Sequence, residues 1–155
     1  MNCTLMVIGK TNEEYVKLGL DKYCKLLSKY CNFEIEVLND VKNGGKLPEE
    51  KLKQEEAKIF KARINPKDKV ILLDENGKEF NSEDFAEYYL KKVNEQKGRI
   101  VFIIGGAFGF SEEIRVGNDR ISLSALTFNH QMVRLIFCEQ LFRAYTILNN
   151  TPYHH

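Results

Sequence analysis

Short apolar runs alternate with amphipathic stretches along the whole chain. Leu5 to Ile8 reads as a short strand. Thr11-Asn12-Glu13-Glu14 then offers a capping box, a hydroxyl followed three residues on by a carboxylate. Tyr15, Val16, Gly19, Tyr23, Leu26, Leu27 and Tyr30 follow at helical spacing. Phe33, Ile35 and Val37 alternate with Glu34 and Glu36, the pattern of a half-buried strand. A polar loop over 39–48 leads into a helix with Pro48 in its first turn and a sparse apolar face of Leu52, Ala57, Ile59, Phe60 and Ile64. After an Asn65-Pro66-Lys67-Asp68 turn, Val70 to Leu73 is apolar without alternation, as in a parallel sheet covered on both faces.

Asn76-Gly77 predicts a further turn. Ser82 is placed to cap a helix over roughly 83–96, with Gly98 ending it. Arg99 to Ile104 is the next buried strand, and Ser111 the cap of a short helix broken by Gly117-Asn118-Asp119. Ile121 to Leu126 is a fifth extended segment, and Asn129 caps a helix over about 130–149. Strands separated by helices give an α/β protein with a mainly parallel sheet flanked by helices. With no repeat, low-complexity stretch or linker, the 155 residues read as a single domain, 1–155.

Composition narrows the classes. An apolar content of 43% and a charged content of 29% are those of an ordinary soluble domain. No stretch approaches the ~18 apolar residues of a membrane span and the amino terminus lacks a signal-peptide layout, so the chain is expected in the cytoplasm. A net charge of +1 argues against tight, unspecific nucleic-acid binding, which needs many phosphate contacts. Every basic residue after Gly98 is arginine (Arg99, Arg115, Arg120, Arg134, Arg143), whereas Arg63 is the one arginine before it. Guanidinium forks hold phosphate or carboxylate at two points, as lysine does not. Cys3, Cys24, Cys31 and Cys138 lack paired spacing and lie far from the histidines, so they read as free thiols and no metal site is expected.

The chemistry sits in the last third. Gly105-Gly106 ends a buried strand, the position where open α/β sheets bind ligands, and glycine admits close backbone approach. Gly105-Gly106-x-x-Gly109 is not the dinucleotide fingerprint, and a plain tight turn reads equally well. Leu73, ending the preceding strand, is its natural neighbour or simply a core leucine. Leu123 to Phe128 carries hydroxyls and backbone amides but no ionisable group, so it suits a heterocycle held through main-chain hydrogen bonds, or a bland buried strand. The final helix is apolar over most of its circumference, which suggests burial against a partner subunit. Glu139 and Arg143 can pair at i,i+4, leaving Arg134 on nearly the opposite face and freer to meet a ligand or RNA. His130 can serve packing or substrate contact, and Tyr153-His154-His155 would ordinarily be a loose end.

Together these runs resemble one family. Ile103-Ile104-Gly105-Gly106-x-x-Gly109, Leu123-Ser124-x-x-Thr127-Phe128-x-His130-x-x-x-Arg134, Glu139-Gln140-x-x-Arg143-Ala144 and Pro152-Tyr153-His154 are similar to the bacterial large-subunit rRNA pseudouridine N3-methyltransferases of the SPOUT class. Val7-Ile8-Gly9-Lys10 and the total length agree as well. The family usually has proline where this chain has Asn129.

The resemblance implies a carboxyl-terminal trefoil knot within about 99–155, a homodimer, and S-adenosylmethionine held by Leu73, Gly105, Leu123, Ser124, Ala125, Leu126, Thr127 and Phe128. It implies a substrate in 23S rRNA of the ribosome, methylated at N3 of a pseudouridine. His154 is then the expected base or proton relay and Tyr153 the residue that stacks on or positions the flipped base. Arg134 is expected to orient the base or a phosphate, and His130 to shape the pocket. Two other readings share parts of this pattern: a tRNA methyltransferase of the same class, and a non-catalytic nucleotide-binding regulator with a flavodoxin-like sheet.

Overall fold

A computed structural model describes every residue from Met1 to His155. Five strands, β1 (Asn2–Ile8), β2 (Asn32–Leu38), β3 (Lys69–Glu79), β4 (Ile100–Ile104) and β5 (Asp119–Ser122), form one sheet in the order β2-β1-β4-β3-β5, with every pairing parallel. The helices are α1 (Glu14–Leu27), α2 (Glu49–Lys61), α3 (Ser82–Glu95), α4 (Glu112–Arg115) and α5 (Met132–Leu148).

Connections β1→β2 and β3→β4 step across the sheet one way, and β2→β3 and β4→β5 the other. Right-handed crossovers therefore place α1 and α3 on one face and α2 and α4 on the other. Alternation along the strands fills both layers. Cys3, Leu5 and Val7 of β1, with Ile100, Phe102 and Ile104 of β4, meet Val16, Phe85, Tyr89, Phe137 and Leu141. Met6, Val70, Leu72, Val101 and Ile103 face Ala57, Phe60 and Ile114. Packed between α1 and α3, α5 is the third helix of the first layer. Strands β1 and β4 are neighbours whose outgoing connections leave in opposite directions, which opens a crevice beyond their carboxyl ends.

The structure differs from the sequence reading at five places in the fold, the first being the cap of α3, which is Asn81, with Oδ1 accepting from Asp84 N–H at 2.8 Å, rather than Ser82. Asn76-Gly77 is not a terminating turn: β3 bulges between Leu73 and Lys78 and runs on beside β5, both residues facing Ile121. Glycine is required there, because a Cβ at Gly77 would lie 2.6 Å from the Arg120 carbonyl carbon and the Ile121 nitrogen. Strand β5 stops at Ser122, so Leu123 to Leu126 is loop rather than strand. The Thr11 hydroxyl does not cap α1 but accepts a hydrogen bond from Arg134 Nη1 at 3.0 Å. The Ser111 side chain makes no cap bond, although α4 begins beside it.

Candidate active site

The carboxyl ends of β4 and β5 deliver two loops to one place. Leaving β4, the chain turns at Gly105-Gly106 and closes a small loop, with Gly109 N–H donating to the Gly106 carbonyl at 3.1 Å and Gly109 at φ 79°. Gly105 is confined by Phe110: a Cβ there would sit 3.1 Å from its ring and 3.2 Å from the Gly109 oxygen. Opposite lies the loop after β5. The Ser122 hydroxyl donates to the Ser124 carbonyl at 2.9 Å, and the Leu126 N–H to the Ser124 hydroxyl at 3.0 Å, so two hydroxyls hold the loop's curvature. Asn129 then caps α5, its Oδ1 accepting from the N–H groups of Gln131 at 2.8 Å and Met132 at 3.0 Å.

Between these loops is a cavity of about 620 Å³. Leu73, Gly105, Leu123, Ser124, Leu126, Thr127 and Phe128 line it, as does His130; Ala125 is exposed and does not. A second cavity of about 340 Å³ shares the Ile104–Ala107 wall and His130, and adds Ile8, Asp40, Glu56 and Arg134. The glycine turn is thus a partition with a chamber on each side.

Arg134 is not the free cation that its place on the helix suggested. It is 1% exposed, with Nη1 donating to the Gly9 carbonyl at 2.9 Å and Nη2 to the Ile8 carbonyl at 2.9 Å. The strand end of β1 presents carbonyls that no helix follows closely enough to satisfy, and the guanidinium fork satisfies them. Gln131 reinforces the clamp: its Oε1 accepts from Asn12 N–H at 2.7 Å and its Nε2 donates to the Lys10 carbonyl at 3.2 Å. What remains unpaired on Arg134 is Nε.

The tail is not loose either. Tyr153 donates to Glu139 Oε1 at 3.0 Å, packs edge-on against Phe142 with centroids 4.8 Å apart, and lies 4.8 Å from the Arg143 guanidinium. His154 has Nδ1 3.2 Å from Arg143 Nη1 and Nε2 3.4 Å from Glu83 Oε1. The expected Glu139–Arg143 pair is present at 2.5 Å and organises this surface. Neither Tyr153 nor His154 lines either cavity of its own chain.

Two acidic residues that the sequence reading passed over stand at the site. Asp74 follows Leu73 with its side chain 8% exposed; Oδ1 accepts from Asn76 N–H at 3.0 Å, while Oδ2 has no hydrogen-bond partner and faces Arg115 and Arg120 at 3.8 and 3.7 Å. Glu56 on α2 is 7% exposed beneath the glycine turn, and its Oε1 is unpartnered. A carboxylate at the end of a buried strand, as in Leu73-Asp74, was readable as a site feature. Glu56 was not, because it lies in a charge-rich helix where carboxylates ordinarily face solvent.

The family described as "Predicted SPOUT methyltransferase" matches residues 1–154. Ribosomal RNA large subunit methyltransferase H of Flavobacterium johnsoniae is 46% identical over 156 residues, covering 100% of this chain and 99% of that protein. The same-named proteins of Parabacteroides distasonis and Bacteroides thetaiotaomicron are 46% and 43% identical with the same coverage. The chain belongs to the SPOUT methyltransferase family, and the knotted α/β fold of that family comes with it.

Proposed function

We propose that this protein uses S-adenosylmethionine to methylate N3 of a pseudouridine in 23S rRNA of the large ribosomal subunit, acting in the cytoplasm on assembled ribosomes as a homodimer. The observation that carries the reading is the larger cavity, bounded by the two loops that the sequence had singled out. Its volume suits a cofactor of this size, since such sites run to ~300–1,000 Å³. Its walls also suit the group. Leu123 to Phe128 offers apolar side chains and main-chain amides to a heterocycle, and Asp74 stands in the wall with Arg115 and Arg120 facing its Oδ2. Bound S-adenosylmethionine supplies an electrophilic sulfonium methyl.

The chain's own task is to hold the nucleophile in line and remove one proton from an imide nitrogen. His130, exposed, lines both chambers and shapes the edge of the wall that they share. Arg134 sets the position of that wall through the Ile8 and Gly9 carbonyls. Tyr153 and His154 line neither cavity of their own chain, which supports a role at the partner's site: Tyr153 positions the flipped base and His154 relays the proton outward. Exposed apolar groups support a covering partner, among them Leu126 at 73% on the cavity rim and Tyr15 and Leu18 on α1. No helix is long and apolar enough to cross a membrane.

Labelled methyl transfer to ribosomes lacking the modification tests the reading, with purified tRNA alongside. Transfer to ribosomes alone is expected; transfer to tRNA alone would favour the other substrate class. Calorimetry should show S-adenosylmethionine binding and no binding of flavin or nicotinamide nucleotides. His154→Ala should abolish transfer while cofactor binding persists, and mixing it with a cofactor-site variant should restore part of the activity if the tail serves the partner.

A further inference from the structure

Of the five arginines after Gly98, three serve the fold or the tail: Arg99 donates to Asp68, Arg134 to the turn after β1 and Arg143 to Glu139. The other two, Arg115 on α4 and Arg120 on β5, converge on Asp74 Oδ2 from 3.8 and 3.7 Å, beyond hydrogen-bond length. The β3 bulge builds this arrangement. It takes Asp74 out of the ladder after Leu73, and Gly77 lets the strand return against the Arg120 main chain, where a Cβ would not fit. Asp74 Oδ1 is already engaged by the Asn76 N–H at 3.0 Å. One carboxylate oxygen therefore faces two guanidinium groups and bonds to neither.

The two forks are open to the outside. Arg115 lines the larger cavity with 30% of its side chain exposed. Its Nε is buried on the Asp74 side, whereas the two terminal nitrogens bond to nothing in the chain and keep accessible surface. Arg120, 39% exposed, makes no hydrogen bond either and stands on β5, an edge strand of the sheet. Neighbouring acids do not neutralise the pair. Asp119 is held by Lys69 at 3.2 Å and Lys92 at 3.0 Å, and Glu113 by Lys61 at 2.7 Å. Glu49, Glu75 and Glu112 are exposed and pair with neither arginine. The cluster thus carries one positive charge in excess, with free donors, beside the methyl-donor cavity. Phe108, exposed at the tip of the glycine loop, lines the same cavity. Open guanidinium groups with an exposed aromatic face are the combination that binds unpaired RNA.

We infer that Arg115 and Arg120 together hold one backbone phosphate of the substrate RNA beside the methyl-donor cavity. This rests on the rRNA methyltransferase reading above and adds the contact that fixes where the strand lies. A phosphodiester presents two non-bridging oxygens, which match two forks arriving from separate elements. The cofactor's carboxylate is a poorer match. Its sulfonium and ammonium outweigh it, so the whole group brings positive charge to a place already positive. Asp74 keeps the two guanidinium groups side by side against their mutual repulsion and turns the Arg115 fork outward. Both arginines are positioning residues: phosphate contacts set the register of the strand, and other groups act on the base. A single well-placed phosphate contact also agrees with a net charge of only +1, which leaves little for unspecific binding.

Ribosomes lacking the modification are the probe, bound to the full-length protein and to Arg115→Gln, Arg120→Gln and the double variant. The double variant should bind about 10–100-fold more weakly at low salt, as two partly exposed charge-assisted bonds warrant. Its plot of log affinity against log salt should flatten by about 1, the mark of one lost phosphate contact. KM should rise with little change in kcat. Arg115→Lys should keep the slope and recover only part of the affinity, because the charge stays and the fork goes. Lys67→Gln removes an exposed cation at the opposite edge of the sheet and should leave affinity and slope unchanged. Without ribosomes, calorimetry should give S-adenosylmethionine affinities within about threefold of wild type for every variant. If the double variant does not fold, each single variant should still weaken ribosome binding by about three- to tenfold. An unchanged salt slope, or a loss no greater than that of Lys67→Gln, overturns the inference. So does a loss of S-adenosylmethionine affinity beyond about threefold in Arg115→Gln, which would assign that fork to the cofactor's carboxylate. If wild type transfers no methyl to ribosomes, the substrate reading above fails and takes this one with it. Wild-type transfer with an unchanged slope sinks this inference alone.

Discussion

The two ends of α5 treat the same residue type in opposite ways. At the amino-terminal end Arg134 is buried, and three of its hydrogen bonds reach the turn after β1, two of them to main-chain carbonyls. At the other end Arg143, with 24% of its side chain exposed, pairs with Glu139 and lies against Tyr153 and His154. One arginine is part of the wall that the site is built on. The other belongs to a partly exposed surface on which the tail rests. A guanidinium held by backbone fixes position; one held by a few side chains near water permits exchange.

Substitutions should separate the two ends by size of effect. Arg134→Ala leaves the Ile8 and Gly9 carbonyls without their donor, and should destabilise the fold by about 2–5 kcal/mol in urea unfolding, at about 1–3 kcal/mol for each acceptor left unsatisfied. A loss below 1 kcal/mol would mean that water replaces it and the clamp is not structural. Gln131→Ala removes two bonds from the same turn and should cost about 1–3 kcal/mol, again with no selective effect on the tail.

Arg143→Ala should cost only about 1 kcal/mol, combining an i,i+4 ion pair with a cation–π contact. Methyl transfer should nevertheless fall more than stability does, because the docking surface for Tyr153 and His154 is lost. Tyr153→Phe should be milder still, about 0.5–1.5 kcal/mol for its hydrogen bond to Glu139. The finest comparison is by pH. Glu56 holds its proton more tightly when folded, so the native state gains from protonation. Relative to Glu56→Gln, wild-type stability should fall as pH rises from the unfolded value near 4.5 through the raised folded value. Thermal unfolding of both proteins across that window reads the sign directly.

Much of this was legible in the sequence. Unbroken apolar runs such as Val70 to Leu73 and Ile100 to Ile104 gave the central parallel strands, since burial on both faces leaves no room for alternation. Gly105 and the run from Leu123 to Phe128, apart from Ala125, line the larger cavity. What escaped were features set by strand neighbours distant in sequence. Gly77 looks like a turn because a turn and a close backbone approach select the same residue. Arg134 looked free because its acceptors lie near the other end of the chain. Glu56 looked like one more solvated charge on a lysine- and glutamate-rich helix, and no local pattern marks the glycine turn that covers it.

The strand order has a consequence for how the protein is made. Strand β4 lies between β1 and β3, with Cys3 beside Ile100 and Val7 beside Ile104. While the chain emerges from the ribosome, β1 and β2 can pair, but the other edge of β1 must wait until nearly two thirds of the polypeptide has been synthesised. The sheet's centre is therefore among the last parts to close, and contacts so distant in sequence form slowly. A nascent chain with an open apolar edge is prone to wrong pairings. Slow refolding and a marked dependence of yield on protein concentration are expected of this molecule, and they arise from the insertion that brings the glycine turn to the middle of the sheet.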